Sequence, residues 1–280
     1  KRLIPVHSKE YVDRIDYQKV QKAINGRFGN ASDFVFIIAG NADQTLLKEY
    51  IVKYLGSLPA SYDKEDWFVT PDYPTKGKVE KRFLHQMVIP RSYVDVTLSC
   101  GMQNNQENRV LAQMLQEYLS GIYASGKMKE LSPNSTVSAG IEYYPEEILM
   151  CRQRFETDSA GSVEILGHMH SKLQEVTYNG IGNEEFEKLK QGMLKRVEMA
   201  QEGNRYWLDA FTDSYLFGHN FHTGYLQAIE NLTPDRFKAF VDKVYRRGNM
   251  ITVIMEGTTE DVNTQNLFRE NQFIKDFFDL

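Results

Sequence analysis

The spacing of apolar residues divides the first part of the chain into a helix, a strand and a second helix. Apolar positions recur at helical intervals over DYQKVQKAI (16–24), and the Asn-Gly pair that follows (25–26) predicts the end of this helix. The run DFVFIIAG (33–40) is continuously apolar, which predicts a strand covered on both faces. Asp43 predicts the N-cap of a second amphipathic helix, and Gly56 predicts its end.

The middle of the chain alternates between strand and helix patterns. Residues 78–90 and 92–102 predict two strands, separated by a single position. Over 110–123 apolar pairs repeat with helical period, which predicts a helix buried along a broad stripe. The segments 135–144 and 147–157 flank a Pro-Glu pair, and they predict an antiparallel hairpin.

The last third of the chain has a helical pattern that ends in one more strand. Residues 159–246 are mostly helical by period, with a predicted N-cap at Asn183 ahead of two acidic residues. A second N-cap is predicted at Thr233, since Pro234 then occupies the first helical position. The apolar run NMITVIMEG (249–257) predicts the closing strand.

This order of elements predicts the fold class and a division into domains. We expect an α+β fold, with a mixed, mainly antiparallel sheet and helices packed mostly on one face. We interpret residues 1–26 as a leading segment with a short helix and residues 27–257 as a single α+β domain. Residues 258–280 are interpreted as a C-terminal helical tail.

Composition and charge narrow the class of protein. The chain has 280 residues, of which 41% are hydrophobic and 25% charged, as in ordinary globular proteins. The net charge of -5 argues against binding to nucleic acid, and no apolar run approaches the roughly 20 residues that span a bilayer. The sequence starts at Lys1 instead of Met, so we expect it to be a piece of a longer polypeptide.

The two cysteines predict neither a set of disulfides nor a cysteine-based zinc site. Cys100 and Cys151 are too few for a set of disulfides and the wrong number for a cysteine-based zinc site. Both lie in apolar, strand-like runs, so we predict that they are free, buried thiols.

The histidines offer no complete metal site in the sequence. HSKEY (7–11) has His7 and Glu10 of an HxxEH zinc motif, but Tyr11 stands where the second histidine belongs. The pairs 168/170 and 219/222 lack a third ligand nearby, and His85 stands alone in a predicted strand. Dinucleotide, phosphate-loop and serine-hydrolase motifs are also absent from the sequence. We therefore predict no catalytic residue and no metal ligand in this chain.

One long segment resembles a known family. RFGNASDFVFIIAGNADQTLLKEYIVKYLGSLPA (27–60) resembles a stretch of the pitrilysin/insulinase family of zinc peptidases, the M16 family. NEEFEKLKQGML (183–194), NRYWLDAF (204–211) and the run 229–245 are similar to later helices of that family. The resemblance extends over residues 14–257.

The resemblance implies a division of labour between domains. In the family an HxxEH motif and a distal Glu bind zinc in a first domain, while the last domain supplies an Arg and a Tyr that hold the substrate. This chain resembles the last domain. The resemblance therefore implies no cofactor in this chain and zinc in an upstream domain of the intact protein.

The same resemblance assigns a substrate-binding role to one loop. In GKMKELSPNSTVSAG (126–140) the family's Arg falls on Met128 and its Tyr on Ser135, and both are substituted. Met has no hydrogen-bond donor that could replace a guanidinium, and Ser is too short to replace the phenol. Lys129 is the nearest cation, but on a helix it points about 100° away from Met128.

Two functions fit these observations. The first is the C-terminal domain of an M16-like zinc metallopeptidase, inactive alone, which forms a chamber wall and contacts the peptide substrate. The alternative is a non-catalytic homologue that binds peptides or partners with a degenerate loop. The expected partners are a peptide substrate and either upstream domains of the same polypeptide or a homologous subunit. The resemblance to bacterial relatives suggests the periplasm.

Overall fold

The computed structural model describes residues 12–61, 75–142, 146–158, 161–218 and 220–260. The HSKEY motif and the predicted tail helix beyond residue 260 lie outside these described residues. The described helices are α1 Tyr17–Phe28, α2 Gln44–Tyr50, α3 Gln106–Tyr123, α4 Gly126–Leu131, α5 Ser162–Asn179, α6 Asn183–Gln201, α7 Asn204–Phe217, α8 Tyr225–Glu230 and α9 Pro234–Tyr245. The described strands are β1 Lys78–Gln86, β2 Arg91–Gly101, β3 Thr136–Glu142, β4 Ile148–Asp158 and β5 Asn249–Thr258.

The strands form one mixed sheet in the order β1-β5-β2-β4-β3. β5 pairs parallel with β1 and antiparallel with β2, and the β2–β4 and β3–β4 pairs are antiparallel. This arrangement confirms the predicted hairpin of β3 and β4 and the predicted closing strand. Buried residues alternate along β2 and β4, so one face of the sheet carries the core.

Helices cover the apolar face of the sheet. α3 packs on β3, α5 on β2 and β4, and α9 on β2 and β5. α3 begins where the Asn105 side chain accepts a hydrogen bond from the backbone N–H of Asn108. Its apolar stripe is fully buried at Val110, Met114, Leu115 and Leu119. The α+β class with helices mostly on one face is thereby confirmed.

Two predicted helix starts have different outcomes. The Thr233 hydroxyl accepts a hydrogen bond from the Arg236 backbone N–H, with Pro234 at the first helical position, as predicted. The N-cap predicted at Asn183 is wrong, because α6 is capped by Gly182 and Asn183 is already helical. Acidic residues in the first turn stabilise the N-terminus of this helix whether the cap is residue 182 or residue 183, so they do not identify the cap.

The chain forms two compact units, and the described part of the first has no buried core. Its described part is 12–61 with 204–212, and none of those residues is buried. The second unit contains the sheet and every buried apolar residue of the described chain. The proposed division into a leading segment, a domain over 27–257 and a tail stays a prediction.

Two of the sequence predictions for residues of the first unit are wrong. Residues 34–39 belong to no strand, because no described strand lies beside them to form a hydrogen-bonded ladder. α1 does not end at the Asn-Gly pair (25–26) but continues to Phe28, since both residues are tolerated inside a helix at a cost of about 1 kcal/mol each or less. The Asp43 cap and the stop at Gly56 are confirmed, with a π-helical turn (Ile51–Leu55) between them.

The predicted free, buried thiols are confirmed. Cys100 and Cys151 are both buried and form no disulfide. Burial raises the pKa of Cys151 to about 12, and burial likewise raises the pKa of Cys100. Both thiols stay protonated at neutral pH and behave as small apolar side chains.

A buried polar pair lies under the helices. The Tyr123 hydroxyl donates a hydrogen bond to the Gln153 side-chain oxygen, and the Tyr123 ring packs edge-on against Phe155 at 4.9 Å between centroids. Gln153 is 0% exposed, and its amide nitrogen has no hydrogen-bond partner. Burial raises the pKa of Tyr123 well above its ordinary value, so the phenol remains a donor.

We expect this pair to be strongly non-additive in a double-mutant cycle. Gln153→Met leaves the buried Tyr123 hydroxyl without a hydrogen-bond acceptor and should lower the free energy of unfolding by roughly 1–3 kcal/mol. Tyr123→Phe leaves the Gln153 side-chain oxygen without a donor and should also lower the free energy of unfolding. The double variant removes both polar groups and should be less destabilised than the sum, as measured by urea unfolding of the four proteins. Additive losses would show that the two groups do not interact.

Candidate functional site

The substrate loop inferred from the sequence is a short helix followed by a tight turn. α4 begins at Gly126, whose φ of 52° lies in the left-handed region that glycine adopts without strain. α4 packs against α3 and α5. The chain then turns through residues 132–135 into β3. The candidate residues Met128, Lys129 and Ser135 are therefore on one continuous, supported segment.

The Met128 side chain lies inside the protein. It is only 4% exposed, and it is the one residue of α4 that is buried. A helix as short as α4 is held in place by packing instead of by its own hydrogen bonds. Met128 thus fixes α4 to the helices beneath it, and its thioether does not face solvent.

Ser135 is held in a network of hydroxyl and backbone groups. The backbone N–H and the hydroxyl of Ser135 both donate to the Ser132 carbonyl oxygen, at 3.3 and 2.8 Å. The Ser132 N–H donates to the Met128 carbonyl at 2.9 Å. The Ser132 hydroxyl, which is fully buried, accepts from the Glu156 backbone N–H at 3.0 Å and so ties the loop to β4. The two serines lock the turn between α4 and β3.

The charged residues of the loop face outward. Lys129 is exposed, and on a helix it lies about 100° around the axis from the buried Met128. Lys127 forms an ion pair with Glu164 on α5. The hydrogen bond from Lys127 lowers the pKa of the Glu164 carboxyl. Both partners of this pair are exposed, so it orients the surface of α4 and adds little to stability.

This arrangement has limited chemistry of its own. The Ser135 hydroxyl donates to a backbone carbonyl and not to a histidine or a carboxylate, so this hydrogen bond does not activate it as a nucleophile. Within the described residues, no three His, Cys, Asp or Glu side chains are grouped so that they could hold a metal ion. His170 instead contacts the Tyr245 hydroxyl at 3.0 Å from Nδ1, and burial lowers the pKa of this histidine. None of the described helices is both long and apolar enough to cross a membrane.

A second polar cluster surrounds Arg109 and has no local sequence signal. The Arg109 Nε donates to the Asn104 side-chain oxygen at 2.7 Å, and one terminal nitrogen donates to Asp213 at 2.7 Å. The guanidinium carbon lies 3.6 Å from the centroid of the Phe221 ring. Asp213 and Phe221 are remote from Arg109 in sequence, so only the fold brings them together.

Gln106 reinforces the same region. Its side-chain nitrogen donates to the carbonyl oxygens of Phe221 and Thr223, at 3.1 and 2.8 Å. The first turn of α3 therefore holds the segment that leads into α8. The Arg109 guanidinium forms an ion pair with Asp213 and a cation–π contact with the Phe221 ring. The cluster therefore positions a loop, and its charge is already paired.

Burial of Met128 leads to a prediction about side-chain replacement. Met128→Leu should lower the free energy of unfolding by less than about 1.5 kcal/mol, because volume is conserved. Met128→Arg should lower it by about 3 kcal/mol or more, because a guanidinium would be buried without a partner. Lys129→Arg, on the exposed neighbour, should stay within about 0.5 kcal/mol in the same denaturant titration. A Met128→Arg variant as stable as the parent would mean that residue 128 can reach solvent.

The two loop serines should differ in their effect on stability. Ser132→Ala leaves the Glu156 backbone N–H without its acceptor and should lower the free energy of unfolding by about 1–2 kcal/mol. Ser135→Ala should cost less, since the Ser132 carbonyl keeps its bond from the Ser135 N–H. Thermal and urea unfolding of both variants measure the difference. Equal losses would show that Ser132 does not anchor the loop to β4.

The fold is similar to several solved structures. Against a mutant of the ferredoxin protease FusC in complex with Arabidopsis ferredoxin, the TM-score is 0.68 at 15% identity, covering 90% of this chain and 28% of that one. For the periplasmic protease PqqL from Escherichia coli the values are 0.60 and 12%, covering 78% and 25%. For a peptidase M16 inactive domain from Pseudomonas fluorescens they are 0.60 and 14%, covering 90% and 60%. At these identities the likeness concerns the fold.

The family follows from the sequence profile. This chain spans between about a quarter and three fifths of the length of those three structures. No curated protein sequence matches the chain. The profile of the peptidase M16 inactive domain matches residues 14–193. Because this match covers more than half of the sequence, the chain belongs to the peptidase M16 inactive domain family.

Proposed function

We propose that this chain is the C-terminal, non-metal-binding part of an M16 zinc metallopeptidase, where it forms part of the chamber wall and contacts the peptide substrate. The observation that carries the proposal is the match of residues 14–193 to the inactive domain of the family. The fold likeness to three proteases, or domains of proteases, supports it. The zinc and the catalytic base would then belong to another domain of a longer protein.

The loop over 126–135 is the proposed contact with substrate. Its backbone is fixed by the Ser132 hydrogen bonds, and Lys129 is exposed on its surface. A rigid loop with an outward cation suits a peptide carboxylate or carbonyl better than a catalytic step. One similar protease has been crystallised with a protein bound, which favours a peptide or protein as the ligand class.

A second candidate function is a peptide- or partner-binding homologue that does not cleave. The specific observation in its favour is the burial of Met128, at the position that the resemblance assigns to an arginine. With Ser135 bonded to the Ser132 carbonyl, neither position presents a donor to a substrate. The periplasm is our proposed location for either function, and a periplasmic protease among the similar folds supports it.

Metal content and activity test the proposal directly. The purified 280-residue chain should contain far less than one zinc per molecule by elemental analysis and should not cleave a peptide library. The natural full-length protein should contain about one zinc and lose peptide cleavage on treatment with a chelator.

The possible outcomes separate the two candidates. Stoichiometric zinc, or chelator-sensitive cleavage, in the 280-residue chain would contradict the assignment as a non-metal domain. A full-length protein that has no HxxEH motif and binds peptides without cleaving them would favour the binding homologue. An intact HxxEH with a distal Glu, together with cleavage, would favour the peptidase.

A further inference from the structure

The first unit repeats a helix–strand pattern found at the end of the second. α1 is capped by Asp16 and α9 by Thr233, and both helices have 12 residues. Each helix is followed by an apolar run that ends in glycine, at Gly40 and at Gly257. The caps differ by 217 positions (233 minus 16), and so do the glycines (257 minus 40), so the two segments correspond without a gap.

The corresponding helix faces differ in their surroundings. In α9 the apolar face packs against the sheet and against α3 and α5. In α1 the apolar residues at the matching positions point into solvent. The exposed fractions are 43%, 51% and 67% at Val20, Ile24 and Phe28, against 0%, 0% and 9% at Phe237, Val241 and Tyr245.

The corresponding strands differ in the same way. In β5, Thr252 is 4% exposed and Ile254 is fully buried, with β1 on one side of the strand and β2 on the other. At the corresponding positions of the first unit, Val35 is 48% exposed and Ile37 is only partly buried. The matching run 34–39 has no described strand beside it. Phe36 and Ile38 are 49% and 52% exposed, whereas the corresponding Val253 and Met255 are partly buried. An apolar cleft of about 320 Å³ opens in the same unit, lined by Phe28, Gly29, Ala31, Phe34, Phe36, Leu58 and Pro59. An apolar surface of this extent is unusual for a chain that has no partner.

We propose that residues 12–61 are the closing helix and strand of a separate α+β domain. The docking surface consists of Val20, Ile24 and Phe28 on α1 together with Val35, Phe36 and Ile38. Its occupant is the open sheet of a domain that precedes residue 12 in the same polypeptide. The run 34–39 then becomes a central strand, parallel to one neighbour and antiparallel to the other, as β5 is.

The order of strands along the sequence in the second unit indicates which part of the polypeptide supplies the sheet that would pair with 34–39. Both neighbours of β5 come before α9 in the sequence. By the same topology, the strands that flank 34–39 come before α1. The fold neighbours contain the necessary length, since this chain covers only 28% of the FusC protease and 25% of PqqL. This inference concerns assembly, so it holds whether the intact protein cleaves peptides or only binds them.

Hydrogen–deuterium exchange on two proteins tests the docking. In the 280-residue chain, amides of 34–39 should exchange at least about 100-fold faster than those of 251–256, because no described strand forms a ladder with them. In the natural full-length polypeptide the two segments should differ by less than about tenfold. Continued fast exchange at 34–39 in the full-length protein would overturn the proposal.

A matched pair of variants on α1 provides a second measurement. Ile24→Lys should lower the Tm of the full-length protein by about 5 °C or more while leaving the Tm of the 280-residue chain unchanged. Gln21→Lys adds the same charge at the position that corresponds to Lys238 and should change neither. Equal effects of the two variants would contradict the assigned face.

Other occupants give distinguishable results. Protection of 34–39 that rises with the concentration of the 280-residue chain would identify a second copy and overturn the proposal. A natural polypeptide with no sheet domain before residue 12 would overturn it as well. Neither result depends on peptidase activity, so failure here is separable from failure of the proposed function.

Discussion

The sheet of the second unit depends on the backbone hydrogen bonds of β5. Ile254 stands opposite Arg82 on one side and Val94 on the other, so β5 joins β1 to the rest of the sheet. β1 borders only β5 in the strand order of the described sheet. Because β5 is the last described strand in the chain, the sheet closes through contacts between residues that are far apart in sequence. Such non-local pairing is slow to form. It is supported by α9, which packs on both β2 and β5.

Elements with a strong local signal could be predicted from the sequence. The Thr233–Pro234 helix start, the β3–β4 hairpin and the apolar run of β5 each have a cause within a few residues. The segment 33–40 has the same kind of apolar run, yet it forms no strand, because a strand needs neighbours that a sequence pattern cannot supply. The hydrophobic pattern of a segment therefore indicates which secondary structure it can form. The neighbouring strands that are available decide whether it forms that structure.

The candidate loop shows a similar limit at the level of side chains. Sequence correspondence identified positions 128 and 135 but not their orientation. Met128 is buried on a short helix that packs on α3 and α5, and Ser132 accepts a hydrogen bond from the Glu156 N–H on β4. The Arg109 cluster was missed altogether, because Asp213 and Phe221 approach it only in the folded chain. Residues that stabilise a site through distant contacts leave no short motif.

The two buried cysteines give the protein a built-in probe of its own opening. Leu98 pairs with Cys151 and Leu149 with Cys100, so both thiols lie in the β2–β4 ladder at the centre of the sheet. Burial raises the pKa of Cys151 to about 12, so its thiol stays protonated at neutral pH. Cys151 is 0% exposed, so an alkylating reagent can reach it only during excursions that open the sheet or lift the helices from it. The natural sequence thus reports the frequency of such excursions through its labelling rate, without an added fluorophore or an engineered thiol.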